Sequence, residues 1–199
     1  MITPKEELSF VTPADWVPGP PQGSWTYEDY AALPDDGHRY EIVNGVLVMA
    51  PAATPEHQDI VGEIYACLRT RVKLAGLGRV FMGPIDVVLG PKNVFQPDVL
   101  VVLNAHLDRI QAKKMVGAPD LVVEVVSPGS GVMDRIAKYA VYARAGIPEY
   151  WFVKPDDQAI EVFVLEAGEY HSLGVFRGQD ALPSRVVPGL PVHVEQFFV

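Results

Sequence analysis

A chain of 199 residues with 49% apolar and 21% charged side chains carries enough apolar material for one medium domain with a sizeable core. No stretch nears the roughly 18 consecutive apolar residues of a membrane-spanning helix, and a net charge of −9 excludes broad, charge-driven adhesion to nucleic acid. A local basic groove beside an acidic, metal-binding site is still compatible with that charge.

The first 24 residues hold five of the 18 prolines, including "PGPP", and are expected to form an extended arm ahead of one domain spanning 25–199. No secretory-type apolar block stands in the first 20 residues, and the single cysteine, Cys67, cannot form an internal disulfide. A reducing, cytoplasmic setting is therefore expected. "SWTYEDYAALP" (24–34) reads as a short helix capped by Ser24 or Thr26 and ended by Pro34. In "RYEIVNGVLVMAP" two alternating segments flank Asn44-Gly45, which supplies the positive φ angles of a two-residue hairpin. That register sets Val43 opposite Val46 and Glu41 opposite Val48.

"TPEHQDIVGEIYACLRTRVKLAG" predicts a helix with Thr54 as cap, Pro55 in the first position and Gly76 as stop. Its apolar stripe is Ile60, Val61, Ile64 and Leu68, and His57 falls on the same stripe. Strands are expected over 78–90 and 94–103, then a polar loop (104–119) and an apolar strand (120–126). A helix, "VMDRIAKYAVYARAG", follows, with an expected buried face of Met133, Ile136, Ala137, Ala140 and Ala143. Strands at 149–155 and 159–176, the latter a pair joined around Gly168, lead to an apolar tail that packs back on the body. The fold class is a mixed α/β sheet flanked by helices, with an N-terminal hairpin and additional C-terminal strands.

Three residues break these apolar patterns. Asp98 in "QPDVLVV" opens a strand just after Pro97, which cannot donate to a ladder and so marks a bulge, an edge or a late start. The competing reading is a turn-type Asp at a strand entrance. Glu124 in "DLVVEVVSP" sits inside a strand that is apolar on both faces, where an unpaired carboxylate costs several kcal/mol. It pairs with a buried cation, binds a metal, or lies at an opening in the sheet. Lys138 borders the buried face of the next helix, where it either pairs with Asp134 or reaches back over the strand end to Glu124. Together the three suit metal-assisted phosphodiester chemistry. Two carboxylates from neighbouring strands can hold Mg²⁺ or Mn²⁺, and an amine beside them can neutralise a phosphodiester in flight.

"YEIVNGVLVMAP", "PEHQ", "QPDVLVV", "PDLVVEVVSP", "DRIAKYAVYARAGIPEYWFV" and "PGLPV" resemble, in order, the Uma-two family of putative restriction endonucleases within the PD-(D/E)XK nuclease superfamily. The resemblance covers roughly 25–199. It implies a restriction-endonuclease-like fold, DNA as substrate and a Mg²⁺ site with Asp98 and Glu124 as ligands. The superfamily's usual lysine position, two residues after the acid, is Val126 here, and Lys138 looks like the relocated lysine of this family. The resemblance also includes His57, otherwise a core histidine, and Glu41, otherwise an exposed hairpin residue, as catalytic-site candidates.

Basic residues are scattered: Arg69, Arg71, Lys73 and Arg79 around the first long helix, and Arg109, Lys113 and Lys114 in the loop. Any of them could meet phosphates, and none reads a base sequence. A homodimer would offer one site to each strand of a duplex, though no residue pattern establishes it. The alternative is a catalytically inactive nuclease-fold module for binding nucleic acid or protein, its acids satisfied by internal pairs. Carboxylate-only glycoside cleavage, which needs two acids flanking a cleft, ranks last.

Overall fold

The computed structural model describes residues 13–50, 52–126 and 131–198, with the backbone alone for 131–136. Helix α1 (Tyr27–Ala31) is capped by Thr26, whose hydroxyl accepts from the Asp29 N–H. Strands β1 (Arg39–Val43) and β2 (Val46–Ala50) form the hairpin in the expected register, and Asn44 and Gly45 turn it with φ of 49° and 80°. Helix α2 (Pro55–Leu68) starts on Thr54, whose hydroxyl accepts from the His57 N–H, and buries the expected stripe. At Arg69–Lys73 it widens into a π-helical turn instead of running on to Gly76.

The two strands expected over 78–90 and 94–103 are four: β3 (Gly78–Met82), β4 (Val87–Gly90), β5 (Asn93–Phe95) and β6 (Val99–Leu103). Pro84 and Pro97 cause the breaks, because neither can donate to a ladder. At each proline the chain also changes sheet. β4 and β5 join the hairpin and β7 (Met115–Val116) in a five-stranded sheet, ordered β2-β1-β5-β4-β7. β3 and β6 join β8 (Leu121–Val125), β9 (Glu149–Lys154), β10 (Ala159–Glu166) and β11 (Glu169–Arg177) in a six-stranded sheet, ordered β11-β10-β9-β8-β6-β3. β8 and β9 are parallel and connected through helix α3 (Gly131–Ala145), so the sheet is mixed.

Side-chain alternation divides the interior. One face of the large sheet, with Val99, Val101, Val123 and Val153, packs on Ile64 and Leu68 of α2 and on the tail residues Val187, Val194 and Phe197. A fully buried Glu149 fixes that tail, accepting from Trp151 Nε1 at 2.7 Å and from the Arg185 and Val186 N–H groups at 2.6 and 3.1 Å. The other face meets α3 and the small sheet, joining Val122, Tyr150 and Phe152 to Ala137, Tyr142, Val43 and Phe95.

The buried face of α3 is Ala137, Lys138, Val141 and Tyr142, with Ala140 and Ala143 only half-buried. Met133 and Ile136, also expected on that face, have side chains outside the described residues. Of the proline-rich arm, residues 1–12 lie outside them too. Residues 13–24 run along the hairpin, where Ala14 N–H donates to the Leu47 carbonyl and Gln22 Oε1 accepts from Leu47 N–H. None of the helices among the described residues is long and apolar enough to cross a membrane.

Candidate active site

The site forms where the ladder between β6 and β8 ends. Val99 pairs with Val123, so one step further Asp98 stands opposite Glu124, and opposed residues of an antiparallel pair share a face. Pro97 stops the backbone ladder there, and the Asp98 side chain takes its place: Oδ2 accepts from the Val125 N–H at 2.8 Å. The Asp98 carbonyl accepts from Gly83 N–H at 2.9 Å. A Cβ at position 83 would come within 2.8 Å of the Pro97 carbonyl oxygen, so this close approach requires glycine.

His57, in the first turn of α2, brings Nε2 to 3.2 Å from Asp98 Oδ2. A carboxylate only accepts, so Nε2 is the donor in this pair, while Nδ1 is buried with no described partner. His57 thus acts on Asp98, from a helix that packs on the Val99 and Val123 face of the large sheet.

Glu124 is 8% exposed, Lys138 5% and Glu41 5%, so two carboxylates and an ammonium share a buried space. Lys138 Nζ lies 3.0 Å from Glu41 Oε2 and 3.2 Å from Glu124 Oε1. The reach of Lys138 back over the strand end is therefore present, while the side chain of Asp134, its alternative partner, lies outside the described residues. Glu41 faces inward because it shares the Val43 face of β1. Its Oε1 also accepts from the Gln96 N–H at 2.7 Å. The Phe95 ring completes the floor, its centroid 5.9 Å from the ammonium.

Sequence reasoning missed Tyr142. Its hydroxyl donates to Glu124 Oε1 at 2.6 Å, one helical turn beyond Lys138. The signal was present in "KYAVY", where Lys138 and Tyr142 stand four apart. Burial, then the negative charges of Glu124 and Glu41, hold the phenol well above its ordinary value, so it stays a donor. Tyr170, raised mainly by burial, behaves alike. Both phenols keep their protons in the folded chain when unfolded tyrosines lose theirs. Their contribution is therefore complete below pH 10 and is lost as the pH rises past it. Urea unfolding on either side of pH 10 should show this fall. Tyr142→Phe should reduce the fall and cost about 1.5–3 kcal/mol at neutral pH, the worth of a hydrogen bond to a charged group.

Asp98 and Glu124 offer oxygen donors from adjacent strands, with the Asp98 side chain 17% exposed at the open end. Among the described residues no three His, Cys, Asp or Glu side chains form a ready-made metal cage. The donor set fits Mg²⁺, which keeps several waters and is commonly held by one or two carboxylates, better than a metal that requires a full protein shell. The expected phosphate contacts divide. Arg69, Arg71 and Lys73 begin twelve residues beyond His57 along α2 and its π turn, about 18 Å away. Lys113 and Lys114 line a cleft that also contains Gln96.

Two sheets, a βαβ crossover and paired acids at the end of β6 and β8 define a restriction-endonuclease-like scaffold. Residues 27–195 match the Uma2 family model, described as "Putative restriction endonuclease", and the chain belongs to that family. In fold it is similar to the crystal structure of a "putative nuclease belonging to DUF820" from Anabaena variabilis, 21% identical, with a TM-score of 0.72 over 87% of this chain and 97% of that one. A type IIG restriction endonuclease, BpuSI, matches at 14% identity and a TM-score of 0.40 over 71% of this chain and 15% of its own, a likeness that carries no weight. No curated protein matches the chain.

Proposed function

We propose that the chain is a Mg²⁺-dependent endonuclease that hydrolyses DNA phosphodiester bonds, with Asp98 and Glu124 holding the ion and Lys138 serving the phosphate. The observation that carries this reading is the opposed pair of acids with the Lys138 ammonium 3.2 Å from Glu124. A divalent ion bound there would lower the pKa of a coordinated water and offset charge on the phosphodiester. In the reaction a water oxygen bonds to phosphorus and gives up a proton to solvent, the P–O ester bond breaks, and the departing alkoxide takes a proton from solvent, leaving a phosphate monoester and a hydroxyl. Lys138 is placed to meet a non-bridging phosphate oxygen as charge builds. Glu41 holds that ammonium, Tyr142 holds Glu124, and His57 holds Asp98. A cytoplasmic setting and a homodimer that presents one site per strand belong to the same reading.

One observation favours the alternative, an inactive scaffold: Lys138 already lies 3.0–3.2 Å from two carboxylates, an internal pairing that needs no ion. Melting curves separate the two. Mn²⁺ at a hundredfold excess over its Kd should stabilise the wild type by about 2.7 kcal/mol, roughly 5–10 °C for a domain of this size. Asp98→Ala should lose the shift together with plasmid cleavage. A wild type that neither shifts nor cleaves leaves the scaffold reading in possession.

A further inference from the structure

The face of the large sheet that carries the paired acids continues outward into a cleft. Leu100 lies two residues beyond Asp98, and Phe81 on β3 is its register partner, so Asp98, Leu100 and Phe81 share one face. Across from this floor, Met115, Asp86 and the 110–114 loop enclose about 410 Å³, within the span of small-ligand sites. Gln96 connects cleft and acids. Its N–H holds Glu41, while its side-chain Nε2 donates to Asp86 Oδ1 at 3.0 Å and to the Tyr30 hydroxyl at 3.1 Å. Tyr30 in turn donates to Asp86 Oδ1 at 2.8 Å.

Asp86 is therefore fixed through one oxygen by two donors, and no described residue donates to the other, Oδ2. The Gln96 side-chain oxygen, Oε1, is buried without a described partner, a cost accepted in the geometry that aims its NH₂ at Asp86. Lys113 and Lys114 line the cleft, the latter with Nζ 3.7 Å from the Tyr27 ring centroid.

We propose that this cleft seats one nucleobase of the polynucleotide whose phosphate lies at Asp98 and Glu124, with Asp86 selecting bases that carry an exocyclic amine. The identity of the polymer rests on the nuclease reading above. The chemistry of the cleft follows from its own residues. Phe81 and Ile110, half-buried over Leu100, give a flat heterocycle apolar contact, and a preoriented carboxylate accepts from the amines of adenine, cytosine or guanine. Thymine presents carbonyls where those amines stand, and an acidic peptide would be repelled. Lys113 and Lys114 meet the flanking phosphates. A base enters such a cleft only when it leaves the stack, so the substrate is single-stranded or locally opened there.

Fluorescence anisotropy with labelled dA, dC and dT 12-mers, in chelator so that no cleavage intervenes, tests this directly. Wild type should bind the dA and dC oligomers at least tenfold more tightly than the dT oligomer. Asp86→Asn should bring that ratio close to one. Ala112→Trp fills the cleft from an exposed loop position, where folding is not at stake, and should do the same. Lys113→Ala should weaken all three alike and lower the salt dependence. A wild-type ratio near one, no binding at all, or a ratio untouched by both cleft variants overturns the inference. Mg²⁺-dependent cleavage with no amine preference would sink the cleft alone. A preference lost in Asp86→Asn, in a protein that never cleaves, would sink the nuclease reading alone.

Discussion

Glu124→Gln should abolish Mg²⁺-dependent cleavage while leaving stability within about 1 kcal/mol of the wild type. Glu124 and Glu41 crowd one ammonium at 3.2 and 3.0 Å in a space where both are under a tenth exposed. Neutralising one carboxylate removes a buried charge and relieves its repulsion with the other, while the Glu41–Lys138 pair persists. Gln keeps the volume and an oxygen that still accepts from Tyr142. The functional loss is of a different size. A ligand to an ion that contributes several kcal/mol of charge stabilisation should cost about three orders of magnitude in rate. Activity and stability thus separate, as expected of an acid retained for chemistry against the interest of packing. Supercoiled-plasmid nicking alongside urea unfolding measures both. A large loss of stability with little loss of rate would make Glu124 a structural ion-pair partner.

Lys138→Met should behave in the opposite sense, losing stability as well as activity. Without the ammonium, the Glu41 and Glu124 carboxylates face each other over the Phe95 ring with their shared cation gone. Breaking a buried pair from one side costs about 3–5 kcal/mol, which should lower the melting temperature by roughly 10 °C. Adding Glu41→Gln to Lys138→Met should restore part of that loss and none of the cleavage. Calorimetry on the wild type and the two variants decides the matter, and a Lys138→Met penalty under about 1 kcal/mol would show that the ammonium is not what holds the two acids.

What could be read from the sequence was local. Asn44-Gly45 dictates its turn, and Thr54-Pro55 starts its helix, because each acts through its own backbone geometry and the nearest N–H groups. The exchange of sheets at Pro84 and Pro97 was not legible. A proline states that a ladder stops, but which strand the chain joins next depends on partners far away in sequence. The α3 face was misjudged for a related reason. Hydropathy leaves Lys138 at the border of that face and gives Tyr142 no place on it, yet both are buried because Glu41 and Glu124 bind Lys138 and Glu124 accepts from Tyr142. Asp98 and Glu124 stood out as acids inside apolar runs. The N–H groups of Gln96 and Val125, which fix Glu41 and Asp98, belong to the backbone and leave no mark in side-chain patterns.

Soaking crystals in Mn²⁺ and collecting anomalous diffraction asks most directly whether these acids hold one ion between them. A single peak should appear about 2.1 Å from a carboxylate oxygen of Asp98 and from one of Glu124, with the Lys138 amine beside it and not among its ligands. A peak touching neither acid, or none at saturating Mn²⁺, would contradict a shared divalent site and leave the buried charges as scaffold.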